Sequence, residues 1–387
     1  MKLPRLATLS FWKCVAAVLI LIGVVAAVER YSMGLGATTH LVDTFPWGIW
    51  IGIDILVGVG IAAGGFTIAA TVYIFNLERF RPILRPTILT AFLGYVLVIC
   101  GLMADLGRPW AIWHAMIMWN PHSVMFEVAW CVMLYTTVLA LEFSPVVLER
   151  FKLHRALKAV KAATIPLVIL GVVLSTLHQS SLGSLFLIIP SRMHPLWYSN
   201  IIPFLFIISC VAAGLSMTIF ESFLSSRAFG REIELPLLTD LARVVAVVLA
   251  LFFTVRIQDL INRDALKYAF DGSYQSWMFL LEITLGVIVP FFLLIIRKVR
   301  TSKAGLFYSS TLVLLGFVAH RVNTAVTSME RWPDRTYFPS WQELGITMGL
   351  AAAGFAAFAL IARYFDVFGE KTHNEEQHAP LRAVAMK

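Results

Sequence analysis

Apolar residues fall in ten long runs separated by short polar gaps, at 11–28, 49–76, 86–104, 123–143, 161–184, 199–224, 239–260, 276–296, 305–328 and 343–366. Each run holds roughly the 20 residues that carry an α-helix across a ~30 Å hydrocarbon layer, and the longer ones suit a tilted helix. The pattern predicts an all-α integral membrane protein with ten transmembrane helices.

The basic residues sort these helices. Every second gap, starting from the N-terminus, collects Lys2, Arg5 and Lys13, then Arg79, Arg81 and Arg85, then Arg150, Lys152, Arg155, Lys158 and Lys161. The same side continues with Arg227 and Arg231, then Arg297, Lys298, Arg300 and Lys303, then Arg363, Lys371, Arg382 and Lys387. The alternate gaps hold only Arg30, Arg108, Arg192, Arg263, Lys267, Arg331 and Arg335. A bias of this kind over short loops predicts both termini in the cytoplasm. Removing one span from the middle would scramble it. Lys2 and Arg5 ahead of an apolar run resemble a signal peptide, but the run is too long for one, and a retained helix is expected.

Composition narrows the class. With 59% hydrophobic and 14% charged residues, the chain is expected to be one membrane-embedded domain over 1–366, followed by a cytoplasmic tail at 367–387. The net charge of +8 suits an anionic inner leaflet. No basic run is interleaved with stacking aromatics, so nucleic acid is not an expected partner. Cys14, Cys100, Cys131 and Cys210 are scattered singly. Without C-x-x-C spacing, the chain offers no thiolate set for an iron–sulfur cluster, a c-type haem or a zinc ribbon, and the cysteines read as small buried hydrophobes.

Helices two to five look like helices six to nine, offset by roughly 150 residues. Ala62-Ala63-Gly64 recurs as Ala212-Ala213-Gly214, and Asp105 with Arg108 recurs as Asp259 with Arg263. Ser123-Val124-Met125-Phe126 recurs as Ser276-Trp277-Met278-Phe279, and Leu167-Val168-Ile169-Leu170-Gly171 running up to His178 parallels Leu312-Val313-Leu314-Leu315-Gly316 running up to His320. Two tandem four-helix bundles, 49–184 and 199–328, flanked by helices one and ten, are the expected arrangement. Gly58, Gly60, Gly64 and Gly65 would allow close helix approach in the first bundle.

Ionisable side chains inside lipid-spanning helices need a partner or a task. In the first bundle Asp54, Glu127 and His178, the last followed by Gln179, are expected within ~10 Å of the outer boundary at 1.5 Å per residue. Tyr95 lies mid-helix. A carboxylate, an imidazole and a phenol converging in an apolar bundle can bind and protonate a carbonyl. Blander roles compete: Glu127 complementing a helix N-terminus, Asp54 hydrogen-bonded as a neutral acid, His178 as a satisfied structural histidine. On the inner side, Glu142 and Glu221 are either interfacial acids or, with Tyr73 and Asn76, a proton route towards the outer site. Arg256, Asp259, Glu282, His320 and Arg321 in the second bundle are expected to neutralise one another. Asp105, Arg108, Trp110, Trp113, His194 and Trp197 are candidates for an outer docking surface, within an aromatic floor that includes Trp119 and Trp332.

Phe45-Pro46-Trp47-Gly48-Ile49-Trp50-Ile51 with Asp54, His122-Ser123-Val124-Met125-Phe126-Glu127, His178-Gln179-Ser180-Ser181-Leu182-Gly183-Ser184, His194-Pro195-Leu196-Trp197 and Tyr337-Phe338-Pro339-Ser340-Trp341 carry a likeness. Together they resemble the polysulphide-reductase, NrfD-type family of quinone-reactive membrane subunits, and within it the hydrogenase-2 (HybB-type) branch. The resemblance covers nearly all of the chain up to Arg363. It implies a haem-free subunit without an iron–sulfur cluster, taking electrons from a ferredoxin-like iron–sulfur subunit on the periplasmic face. That partner would be fed by the large and small subunits of a [NiFe] hydrogenase. The resemblance further implies menaquinone or a related quinone as electron acceptor, an inner-membrane location, and Asp54, Tyr95, Glu127 and His178 as the quinone environment.

Other readings compete: a membrane anchor of a polysulphide, nitrite or tetrathionate oxidoreductase, a secondary transporter built from duplicated bundles, and a b-type cytochrome using His178 and His320.

Overall fold

In a lipid layer every backbone N–H and C=O must be satisfied within the protein, which leaves long apolar segments little choice but the helix. The computed structural model describes residues 11–43, 45–330 and 336–369. The expectations resting on Lys2, Arg5, Arg331, Trp332, Arg335 and the tail beyond residue 369 lie outside them. Among the described residues ten helices are long and apolar enough to cross a membrane. They are α1 (Phe11–Met33), α2 (Trp50–Tyr73), α3 (Glu78–Asp105), α4 (Val124–Arg150), α5 (Thr164–Ile188), α6 (Ile202–Phe229), α7 (Leu235–Asn262), α8 (Tyr274–Ile295), α9 (Lys303–Thr327) and α10 (Trp341–Tyr364). Among the described residues the sole extended pairing is one bridge between Val42 and Phe45.

Polar residues set the helix ends. The Ser123, Ser273, Ser302 and Ser340 hydroxyls accept from backbone N–H groups in the first turns of α4, α8, α9 and α10. At Ser340 the cap is reciprocal, because the Glu343 carboxylate accepts from the Ser340 N–H. Proline opens α6 and α7, where its missing N–H costs nothing. Several helices run past the predicted apolar limits. The α4 helix continues to Arg150, and α3 starts before Pro86, which sits in its second α-helical turn.

The helices α2, α3, α4 and α5 pack each on the next, with α5 closing on α2; α6, α7, α8 and α9 do the same. The two groups meet where α6 lies on α2 and α5 and where α9 lies on α2. Burial identifies the centre: 72% of the central window of α6 is buried, against 11% for α1. At the α2–α6 crossing the two Ala-Ala-Gly motifs face each other. A β-carbon added to Gly64 would lie 2.7 Å from the Gly214 carbonyl oxygen, so only glycine permits this approach. The α1 and α10 helices pair with one another and lie together against α3, on the first group.

Three helices contain a wide π-helical turn, Trp50–Ile55 in α2, Thr284–Ile288 in α8 and Asn323–Thr327 in α9. The first contains the half-buried Asp54, and buried Glu282 and Arg321 lie two residues before the second and third. A π-turn rotates everything beyond it, so it changes which neighbour a side chain meets. Of the cysteines, Cys131 and Cys210 are buried as expected, while Cys14 and Cys100 lie on the outer surface of the helices.

Candidate functional site

The centre of the first helix group holds a hydrogen-bonded pair. The Tyr95 hydroxyl on α3 and His178 Nδ1 on α5 are 2.9 Å apart, and both side chains are fully buried. Tyr135 on α4 packs edge-on against the Tyr95 ring, with centroids 4.7 Å apart. His178 Nε2 and the side-chain amide of Gln179 are buried without a hydrogen-bond partner among the described residues. Buried donors and acceptors of this kind are costly unless something binds them. An imidazole edge and an amide in apolar surroundings fit the carbonyl or hydroxyl oxygens of a quinone.

His178 lies further from its helix end than its sequence position suggests, level with the mid-helix Tyr95. His178 is ten residues from the end of α5 at Ile188, and Tyr95 is ten from the end of α3 at Asp105. At 1.5 Å per residue, that is about 15 Å, half of a ~30 Å core. The extra depth comes from a short 3-10 turn, Leu185–Ile188, that lengthens α5 beyond its apolar run.

Polar groups extend from the pair in both directions. On α4, Glu127, Cys131 and Tyr135 follow one another at four-residue spacing, and Glu142 lies two turns beyond Tyr135. Glu142 Oε1 rests 3.5 Å from the position a β-carbon on Gly171 would take. Gly171 is two turns from His178 on the same face of α5. Glu127 is half-buried in the first turn of α4 and makes no hydrogen bond or ion pair with Asp54, Tyr95 or His178. Tyr135 was not anticipated; its spacing from Glu127 and Glu142 on one helix face is the signal that would have found it.

Asp54 belongs to a different interface. Its Oδ2 accepts from the Thr347 hydroxyl on α10 at 2.8 Å, and its Cβ lies 2.7 Å from the β-carbon position of Gly101 on α3. The expected gathering of Asp54, Glu127 and His178 is therefore resolved into a central Tyr95–His178 pair, an acid towards one end of α4 and an acid between α2, α3 and α10. Rotation about the helix axis, which decides these neighbours, is not readable from the hydropathy pattern.

Towards the basic ends of the helices, the Thr90 hydroxyl donates to Glu221 Oε2 at 2.6 Å, joining α3 to α6. Tyr73 is half-buried, with the Arg81 guanidinium 6.0 Å from its ring centre. Asn76 is exposed in the turn after α2 with φ of 55°, a left-handed conformation asparagine tolerates, and does not join the buried groups.

The anticipated docking residues divide. Trp110 and Trp113 are exposed, at 72% and 48%, in the connection between α3 and α4. There Trp119 leans on Trp130 with centroids 4.8 Å apart, and the Trp130 indole donates to the Ala115 carbonyl. His194 and Trp197 are buried instead, and the Trp197 indole donates to Glu282 Oε2 at 2.9 Å. No ion pair joins Asp105 to the exposed Arg108 among the described residues. Arg30 takes that place: buried in α1, it donates to the Ala104 and Leu106 carbonyls at 2.8 and 2.7 Å, satisfying the open end of α3.

The charges of the second helix group are only partly paired acid to base. Glu282 accepts from Trp197 and Asn323 and meets His320 Nδ1 at 2.7 Å, while Asp259 binds Arg263 and the Ser199 hydroxyl. Arg256 instead donates to the Leu196 carbonyl, and Arg321 to the Phe206 carbonyl and Ser209. The His194-Pro195-Leu196-Trp197 motif is thus a structural knot, with Pro195 accepting from Arg263.

The remaining shared motifs also clamp one another. The Phe45 ring stacks on Tyr337 at 5.1 Å, and the Ile49 N–H donates to the Tyr337 hydroxyl at 3.0 Å. That hydroxyl donates to Glu343 Oε1, and burial together with this bond pushes its pKa well up, so it remains a donor.

The sequence profile of the family described as "Polysulphide reductase, NrfD" matches residues 38–328. The chain is 34% identical to the "Probable Ni/Fe-hydrogenase 2 b-type cytochrome subunit" of Escherichia coli, over 94% of each chain. It is 38% identical to a Nitratidesulfovibrio vulgaris protein named only "Protein", over 94% of this chain and 96% of that one. Identity to the "Menaquinone reductase, integral membrane subunit" of the same organism is 28%, over 90% of this chain and 89% of the other.

Proposed function

The chain belongs to the polysulphide reductase (NrfD) family of membrane subunits, and we propose that it is the quinone-reactive subunit of a hydrogen:quinone oxidoreductase. The observation that carries this reading is the buried Tyr95–His178 pair with His178 Nε2 and the Gln179 amide free to meet a quinone oxygen. The name of the Escherichia coli relative favours a Ni/Fe hydrogenase as the electron source, and the family resemblance adds its large and small subunits and a ferredoxin-like iron–sulfur subunit to the reading. In this reading the partner rests on the end bearing Trp110 and Trp113, on the periplasmic side of the cytoplasmic membrane. The Lys- and Arg-rich ends and both termini face the cytoplasm, as the distribution of basic residues favours.

Reduction of menaquinone or a related quinone takes two electrons and two protons. His178 holds one oxygen through Nε2 and hands on a proton, Tyr95 orients its imidazole through Nδ1, and Glu127, in the first turn of α4, is the protonatable group towards the periplasmic end. Asp54, turned towards α10, acts from behind α3. Glu142 and Glu221 would bring protons from the cytoplasmic half and make turnover electrogenic. The donor set does not favour a b-type haem, despite the relative's name. A bis-histidine haem needs two imidazoles facing one iron. His178 bonds Tyr95 on α5, His320 bonds Glu282 on α9, and α6 packs between those helices.

Purification of the intact complex, followed by metal analysis and hydrogen-driven quinone reduction, tests the reading. Nickel with abundant iron is the expected result. Molybdenum in place of nickel would move the chain to a different oxidoreductase, a reading that the menaquinone reductase relative keeps in play.

A further inference from the structure

A cavity of ≈ 270 Å³ whose lining includes neither Tyr95 nor His178 lies in the wedge between α3, α6 and α10. The α10 helix packs on α3, and α3 touches α6. Small residues leave the hollow: Gly94 on α3, and Ala351 and Gly354 on α10 all line it. Along α6 the wall runs from Met217 to Phe229, about 18 Å at 1.5 Å per residue, so the space is elongated along the membrane normal. Phe355, on its wall, is 58% exposed on the outside of the helices, which opens the cavity laterally towards lipid.

The lining is hydrocarbon apart from one polar locus. Glu221 and Ser225 of α6 and Thr90 of α3 contribute the polar atoms, and Glu221 is fastened by the single hydrogen bond from Thr90. No lysine or arginine lines the cavity. Glu221 and Ser225 also line a second, polar pocket that contains Arg231, Glu232 and Glu234 at the basic end of the helices. The carboxyl thus forms a wall between an apolar compartment and a polar one.

We propose that this cavity binds an uncharged long-chain amphiphile whose hydroxyl or carbonyl head hydrogen-bonds Glu221 and whose chain lies along α6. The shape accounts for a chain rather than a compact solute. The absence of a cationic lining residue disfavours a phosphate head, which would be stripped of water without a counter-charge. A carboxyl with an accessible oxygen can accept from a hydroxyl or, when protonated, donate to a carbonyl. Long-chain quinones and long-chain alcohols share this chemistry. The occupant would cover the membrane side of Glu221 and shield it from lipid.

The test uses the full chain in its complex, in nanodiscs, with native mass spectrometry after mild delipidation. Probes are a long-chain menaquinone, hexadecanol and phosphatidylglycerol, applied to the wild type and to His178→Ala, so that the central pair is not what is read. Ala351→Trp and Ala228→Phe fill the cavity from its exposed rim, Glu221→Leu removes the polar locus, and Val247→Phe on the exposed surface of α7 is the control. Retention of menaquinone or hexadecanol by wild type, His178→Ala and Val247→Phe is expected. Affinity should fall about tenfold in Glu221→Leu, the loss of one hydrogen bond, and further in the filling variants. Which neutral probe is retained identifies the source. Retention of phosphatidylglycerol alone, insensitivity to the filling variants, or loss caused by His178→Ala would overturn the proposal.

Discussion

The Tyr337 hydroxyl occupies the space that a β-carbon on Gly48 would need. This contact ties the segment entering α2 to the segment entering α10, although the two are far apart in sequence. The hydroxyl cannot simply swing aside, because it accepts from the Ile49 N–H and donates to Glu343. Glu343 in turn accepts from the backbone of His40 and Ser340. Gly48→Ala is therefore expected to cost about 1–3 kcal/mol through overpacking. Tyr337→Phe alone should also destabilise, by leaving a backbone N–H and a carboxylate short of a partner. Combined, the two should cost less than the sum of the singles, as thermal unfolding in detergent would measure. Strict additivity would mean that a methyl group at Gly48 and the Tyr337 hydroxyl do not compete for the same space.

The α2–α6 crossing is stiffer still, because backbone meets backbone between Gly64 and Gly214. No side-chain rotation relieves a methyl group placed there. Gly214→Ala should lower the melting temperature more than Gly48→Ala, at about 3 kcal/mol, the upper end for inserted methyl groups. Its effect on quinone affinity should be indirect and should appear only as α5, which also packs on α6, shifts. A melting temperature equal to wild type would contradict this account of the crossing.

The number and order of helices were legible because roughly twenty apolar residues admit one backbone solution in lipid. Their ends were less so. Arg150 ends α4 seven residues after the apolar run stops, since long basic side chains can reach the headgroups while the helix continues beneath them. Within the site, Tyr95 and His178 were legible as isolated polar residues in apolar helices. Asp54, expected beside Glu127 and His178, meets Thr347 and Gly101 instead. It sits inside the π-turn Trp50–Ile55, and the hydrogen-bond register of such a turn leaves no mark in hydropathy. Trp197 was misread as a surface aromatic because its buried acceptor, Glu282, lies 85 residues away in sequence.

Glu282 gathers three donors into one buried network. Glu282→Ala strands the Trp197 indole, the Asn323 amide and His320 together, and a loss of about 3–5 kcal/mol is expected from breaking so buried a cluster. The role assigned to it is structural. Protein that remains folded at low temperature should therefore bind quinone as wild type does, while its melting temperature falls. A large loss of quinone affinity with an unchanged melting temperature would instead make the second helix group part of the reaction site.

The central pair separates two roles that a single substitution confounds. Tyr95→Phe keeps the ring that packs edge-on against Tyr135 and removes only the hydroxyl that meets His178 Nδ1. His178→Gln keeps a polar group of similar reach but removes the imidazole that hands on protons. If His178 is the proton-transferring group and Tyr95 orients it, quinone reduction should fall about 100-fold or more in His178→Gln, within the usual range for general acid catalysis. Tyr95→Phe should fall less, about tenfold, the equivalent of one buried hydrogen bond. Because Tyr95 would act through His178, adding Tyr95→Phe to His178→Gln should lower turnover little further. Hydrogen-driven reduction of a soluble menaquinone analogue by membranes carrying each variant provides the measurement. Independent, multiplicative losses would show that the tyrosine touches the quinone by itself, and undiminished turnover in the double variant would remove the pair from the reaction altogether.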